Sequence, residues 1–227
     1  MKVQIMKYKH TVADKTVEIT IQETQENPVL YELNPHKYSF EDNIEYKALR
    51  QKVCYMLELA RKKLPKGYQF HIFETYRSYD KQVEFFEAEM KKLALLEPHL
   101  SQEQLKEKAN IGIADPYLIG SGHQTGGAVD LTILDAKGKP VQMGTAYRET
   151  ENPLCTTASR DVGATILKNR YFLWQIMHSV GFVNYPLEWW HYSYGEQEWA
   201  VLCQKKATLY KALKNPKINH WKERERD

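Results

Sequence analysis

The stretch SGHQTGGAVDLTI, Ser121 to Ile133, limits the fold more than any other part of this 227-residue chain. Its second half, AVDLTIL (Ala128–Leu134), reads as a buried β-strand. Aspartate is uncommon in such a run, because a carboxylate taken out of water needs a partner. The nearest histidine upstream is His123, seven positions before Asp130. Residues seven apart on a regular strand face opposite sides, so the two side chains meet only if the chain bends between them. Gly126 and Gly127 supply that freedom and allow a close backbone approach. Taken alone, the stretch has two readings: a metal-binding pair joined by a glycine turn, or a glycine loop whose aspartate caps the strand.

Around it, helices and strands are interspersed without strict βαβ alternation. Lys15–Gln22 alternates, with Val17, Ile19 and Ile21 on one face, and predicts a half-buried strand. Residues 42–64 predict a helix, with Leu49, Val53, Met56, Leu57, Ala60 and Leu64 on one stripe and Pro65–Gly67 as its stop. Tyr68–Phe73 reads as a strand, and a second helix follows from about Asp80 with Val83, Phe86, Met90 and Leu93 inward. Ser101–Gln104 matches a capping box. A helix over 163–180 ends at Gly181, Phe182–Gly195 reads as a strand pair around Pro186, and Trp199–Leu213 predicts a last helix. The charged tail Pro216–Asp227 is expected to be poorly ordered. Short turns between neighbouring strands favour an α+β fold, with a central, mainly antiparallel sheet flanked by helices. The length fits a single domain over 1–227, with a charged extension at about 214–227.

Composition removes several function classes. A net charge of +3, from 32 basic and 29 acidic residues, gives no electrostatic footprint for nucleic acid. No run approaches 18 apolar residues, so no membrane span is expected. The N-terminal residues lack the apolar core of a secretory signal, and the expected address is the cytoplasm. Cys54, Cys155 and Cys203 are far apart and form no CxxC pair. That argues against a disulfide framework and against a cysteine-based zinc site.

EWWH (Glu188–His191) gives the pair of His123 and Asp130 a third member. A catalytic zinc usually takes three nitrogen or oxygen ligands and keeps one position for water. His123, Asp130 and His191 make such a set. Glu188, three residues before His191, can bring a carboxylate to the attacking water. The competing reading makes EWWH an aromatic core strand, and the two tryptophans do read as packing residues.

SGHQTGGAVDLT and EWWHYSYG resemble the two signature segments of the zinc D-alanyl-D-alanine dipeptidases, within the DD-peptidase and Hedgehog-like metallopeptidases (peptidase family M15). The pattern SxHxxGxAxD is met by Ser121, His123, Gly126, Ala128 and Asp130, and ExxH by Glu188 and His191. Tyr76, Arg77 and Ser78 with Gln82 resemble the family's arginine segment, and Met143–Thr145 its segment after the metal strand. The resemblance covers roughly residues 40–205. It implies a Hedgehog/DD-peptidase-like fold with one Zn²⁺ per chain on His123, Asp130 and His191. It also implies Glu188 as general base and then proton donor to the leaving amine, and Arg77 as stabiliser of the developing oxyanion. The implied substrate is the D-Ala-D-Ala dipeptide. The alternatives are a D,D-carboxypeptidase or endopeptidase on longer peptidoglycan stem peptides, and a zinc-binding module without catalysis. One position departs from the family. Where an aspartate is expected to meet the substrate's ammonium, this chain has Arg148; either Glu149 substitutes through a one-residue shift of the backbone, or another acid serves, or the substrate's amine is blocked or longer. Ser121, Arg148 and Glu149 are therefore the candidate substrate contacts.

Overall fold

The elements follow one another as β1 (Met6–Val12), β2 (Lys15–Ile21), β3 (Val29–Glu32), β4 (Ser39–Phe40), β5 (Ala48–Arg50), α1 (Gln51–Arg61), β6 (Gln69–Glu74), α2 (Tyr79–Leu96), α3 (Gln102–Gly112), β7 (Ala128–Leu134), α4 (Ala164–His178), β8 (Val183–Asn184), β9 (His191–Ser193), α5 (Gln197–Leu202) and β10 (Lys217–His220). They are taken from a computed structural model that describes residues 6–12, 15–25 and 28–220. β1 and β2 form a two-stranded ribbon, β10-β3-β5 a three-stranded sheet, and β4-β6-β7-β9-β8 a five-stranded sheet. In the last, only β4 and β6 run parallel; every other neighbouring pair is antiparallel. The architecture is the α+β type expected from the sequence.

β7 lies at the centre of the five-stranded sheet, and its alternation sends side chains two ways. Val129, Leu131 and Ile133 enter the main core. They join Phe70 and Ile72 of β6, Val53, Met56 and Leu57 of α1, and Leu173 and Met177 of α4. Each such side chain contributes roughly 1.5–3 kcal/mol when fully buried. Asp130 alternates with these residues and is itself buried. The register then sets Glu74 of β6 and His191 of β9 on either side of Asp130. Direct cross-strand neighbours stand about 5 Å apart at Cβ, so the sheet alone gathers three of the polar residues that matter. A bulge in β6 between Ile72 and Glu74 adjusts that register.

Helices α1 and α4 pack on this sheet in the main core, while α2 and α3 pack on each other. α2 is capped by Ser78, which accepts from Lys81 N, and α3 has the expected box of Ser101 and Gln104. Such caps are worth about 1 kcal/mol each.

Three expectations are corrected. The helix predicted over 42–64 begins only at Gln51, because Ala48–Arg50 pairs with β3. The last helix stops at Leu202. Beyond it Gln204 has φ 52, and Lys206 and Thr208 exchange hydrogen bonds with Thr20, so the backbone groups that would extend the helix are used on β2. The tail is ordered as far as His220, since Lys217–His220 adds a parallel strand to β3; residues 221–227 lie outside the described residues. No helix among the described residues is long and apolar enough to cross a membrane.

Candidate metal centre and active site

The turn before β7 carries His123. Residues His123–Thr125 form one turn of 3₁₀-helix, closed by Gly126 at φ 70, so the chain does bend between His123 and Asp130. A Cβ on Gly126 would lie 2.4 Å from Leu30 Cδ2, and one on Gly127 would lie 2.7 Å from the Tyr194 carbonyl oxygen. Both glycines are therefore needed for close approach, and Gly126 also for its left-handed backbone.

One ligand atom from each of His123, Asp130 and His191 falls within 4.8 Å of the other two, and all three residues are buried. Asp130 Oδ1 lies 3.3 Å from His123 Nε2 and 2.8 Å from His191 Nδ1. A tetrahedral ion at zinc–ligand distances of about 2.0 Å separates its donors by about 3.3 Å, so the cluster is already close to a zinc-sized spacing. The outer contacts also fit. His123 Nδ1 donates to the Thr75 carbonyl at 2.8 Å, which leaves Nε2 as the acceptor nitrogen facing Asp130. His191 Nε2 lies 3.1 Å from Glu198 Oε2, which leaves Nδ1 facing Asp130. Asp130 Oδ2 accepts from the Tyr147 hydroxyl at 2.9 Å. Two imidazoles and one carboxylate, each held by a second partner, are a donor set that suits Zn²⁺.

The electrostatics agree. Burial works against the Asp130 carboxylate, but His123 and His191 outweigh it and hold its pKa well below the usual range. Burial also opposes the His191 imidazolium, and Glu198 and Asp130 outweigh that in turn. A carboxylate held ionised between two imidazoles is a ready partner for a cation.

Glu188 sits in the short turn between β8 and β9. Its pKa is pushed up to about 7 by burial, aided by the charges of Asp130 and Glu198, while His191 and Arg77 oppose the rise. A carboxyl near neutrality suits a group that takes and then returns a proton.

Arg77 follows β6 directly. Its guanidinium grips Glu74 in a two-point contact at 2.7 and 2.5 Å and donates to Gln82 Oε1 at 2.8 Å. Gln82 in turn donates to the Ala114 carbonyl. Arg148 Nη2 binds the same Glu74 carboxylate at 2.8 Å, and both guanidinium groups lie about 5 Å from the Phe85 ring centre.

A cleft of about 340 Å³ exposes His123, Asp130, His191, Glu188, Arg77, Arg148, Ser121 and Glu198 together. That is at the lower end of the roughly 300–1,000 Å³ typical of ligand pockets. Ser121 lines it and accepts from Gln124 N through its hydroxyl. Glu149, the candidate substitute for the missing aspartate, does not line this cleft. Arg148 has φ 66, and its neighbour's side chain is turned toward a second cleft shared with Thr145 and Trp189, where it accepts from Asn152. Sequence reasoning missed Glu74, Tyr147 and Glu198. Glu74 had a signal, an acid at the end of a strand three residues before the arginine. Glu198 had none, because it reaches the site only through the fold of α5.

A family model described as Peptidase M15, D-ala-D-ala dipeptidase, matches residues 37–210, and the chain belongs to that family. It is 37% identical over 89 residues to the D-alanyl-D-alanine dipeptidase of Synechocystis sp., an alignment covering 34% of this chain and 36% of that relative. With the D-alanyl-D-alanine dipeptidase of Escherichia coli (strain K12) it shares 28% identity over 170 residues, covering 69% of this chain and 75% of the relative. Among solved structures, VanYB in complex with D-Alanine-D-Alanine aligns at a TM-score of 0.45 and 19% identity, covering 77% of this chain and 81% of that one. The chain spans about a third of the length of the Synechocystis relative it matches.

Proposed function

We propose that this chain is a zinc-dependent peptidase that cleaves the bond between two D-alanine residues. The observation that carries this reading is the meeting, in one cleft, of a zinc-type donor set with a buried carboxyl near neutrality and a fixed guanidinium. The preference for D-Ala-D-Ala is supported by the family and by what its named relatives act on.

Bound at His123, Asp130 and His191, zinc would polarise the scissile carbonyl and lower the pKa of a water from about 16 to about 7. Glu188 accepts the proton of the attacking water on a carboxylate oxygen. It then passes that proton to the leaving nitrogen as the C–N bond breaks, so one carboxyl serves both transfers. Arg77, fixed by Glu74 and Gln82, presents its charge where the carbonyl oxygen becomes negative. A preorganised donor of this kind contributes roughly 3–4 kcal/mol to lowering the barrier. The Trp190 side chain is buried and lines the same cleft as Glu188.

The test pairs metal content with turnover. Purified protein should hold zinc near one per chain and release D-alanine from substrates ending in D-Ala-D-Ala. Glu188→Ala should keep the zinc and lose the turnover. A well-folded protein that takes up no zinc, or full activity in the Glu188 variant, defeats the reading.

A further inference from the structure

The cleft is electrically polarised along the sheet. On the β9 and α5 side stand Glu188 and Glu198; on the β6 side stand Arg77 and Arg148. The ligand cluster lies between them, because the register orders Glu74, Asp130 and His191 across β6, β7 and β9.

The β6 side is not neutralised from within. One carboxylate, Glu74, faces two guanidinium groups. Its closest pairing is the two-point grip with Arg77, and Arg148 reaches it through Nη2 alone. A guanidinium has five N–H donors, and the Arg148 side chain is 46% exposed while that of Glu74 is 12% exposed. Arg148 is also held at φ 66, a left-handed backbone that bulky residues rarely adopt. Phe85 and Tyr147 lie under its guanidinium at 4.9 and 5.2 Å. The result is a fixed, half-open cation on the wall of the cleft with most of its donors still to use.

Glu188 determines which half of a substrate meets it. The carboxyl that protonates the leaving nitrogen must lie within about 3 Å of it. The leaving half therefore lies along the β9 side, and the acyl half lies across the ligand cluster, along the β6 side. Resting on the peptidase reading above, we propose that the acyl half of the substrate carries a carboxylate, and that Arg148 binds it. The substrate class is then a peptide ending in D-Ala-D-Ala whose acyl extension is acidic. The free dipeptide brings an ammonium to the same wall, where it meets a like charge.

Three compounds share one scissile bond and differ in what the amino end carries: D-Ala-D-Ala an ammonium, its N-acetyl derivative a neutral cap and its N-succinyl derivative a carboxylate on a longer cap. Binding is measured by calorimetry on the zinc-loaded full chain carrying Glu188→Gln, so no turnover is required. The N-succinyl compound should bind about tenfold more tightly than the N-acetyl one, the size of a hydrogen bond to a charged group, and the free dipeptide should bind most weakly. Adding Arg148→Gln should bring the succinyl-to-acetyl ratio to near one. Where that variant does not fold, raising salt on the unaltered Arg148 should shrink the ratio. A ratio of one or less with Arg148 present overturns the proposal, as does a ratio that survives Arg148→Gln or does not respond to salt. Failure of the peptidase reading has a separate signature: no D-alanine is released from any of the three by the wild-type chain, whatever the binding ratio.

Discussion

Nε2 of His191 lies 3.1 Å from Oε2 of Glu198, and this contact decides which ring nitrogen faces Asp130. Glu198 thus positions a candidate ligand without joining the candidate ligand set. Glu198→Ala should weaken zinc affinity about 10- to 100-fold, the usual effect of losing an outer partner of a metal-bound histidine. Glu198→Gln, which keeps an acceptor, should weaken it less. Competition with a chromogenic chelator reads both, and unchanged affinity in the alanine variant removes the role.

His123→Ala and His191→Ala should each abolish stoichiometric zinc. The metal adds stability only to the folded state, by about 4 kcal/mol at a thousandfold excess over its dissociation constant. Chelator should therefore lower the Tm of the wild type and leave both variants where they are. A wild-type Tm indifferent to chelator counts against the centre.

Glu188 can accept a proton only when ionised, so kcat/KM should rise with pH along a limb set by this group. Burial, Asp130 and Glu198 push its pKa up to about 7, while His191 and Arg77 pull it down. A divalent cation beside it favours the ionised form, so the limb of the zinc-loaded protein should fall below 7. A rate that rises on acidification through this range contradicts the assignment.

Glu74→Gln leaves Arg77 and Arg148 without their shared carboxylate. Removing one partner of a buried ion pair costs roughly 3–5 kcal/mol, and loosening Arg77 should lower kcat on the order of a hundredfold. Burial opposes ionisation of Glu74, but Arg77 and His123 outweigh it and bring its pKa to about 2. A depressed carboxylate stabilises the fold fully above its ordinary value of 4.5, and that contribution is lost as pH falls toward 2. Acid titration of stability should therefore be flatter in Glu74→Gln than in the wild type.

Gly126→Ala should destabilise the protein by about 1–3 kcal/mol, because a side chain at φ 70 is strained and its Cβ meets Leu30. The same substitution displaces His123, so zinc affinity should fall with the Tm. Thermal melts with and without zinc separate the two effects.

Much of the site was legible because its chemistry is local in the chain. His123, the glycines and Asp130 fall within eight residues, and Glu188 and His191 within four. Strand β7 was predicted over its full length, since an apolar run between a glycine pair and a turn leaves few other choices. What escaped was set by contacts distant in sequence. Glu74 has a near partner in Arg77, but its second, Arg148, lies 74 positions later, and Glu198, though only seven residues from His191, reaches it through the turn before α5 and not through a strand or helix period. The overlong last helix failed for the same reason: Trp199–Leu213 has helical character, but Thr20 takes the backbone groups of Lys206 and Thr208.

The family match ends at residue 210, yet the support of the centre does not. Leu213 N donates to the Gln124 carbonyl, and the Leu213 carbonyl accepts from the Tyr76 hydroxyl. Arg50 ties the Lys211 carbonyl to that of Thr125. These few residues moor the turn that bears His123 to the segment after β6 that bears Arg77. A protein trimmed at the similarity boundary would keep every candidate ligand and lose these ties. The supports of this centre extend past its recognisable part.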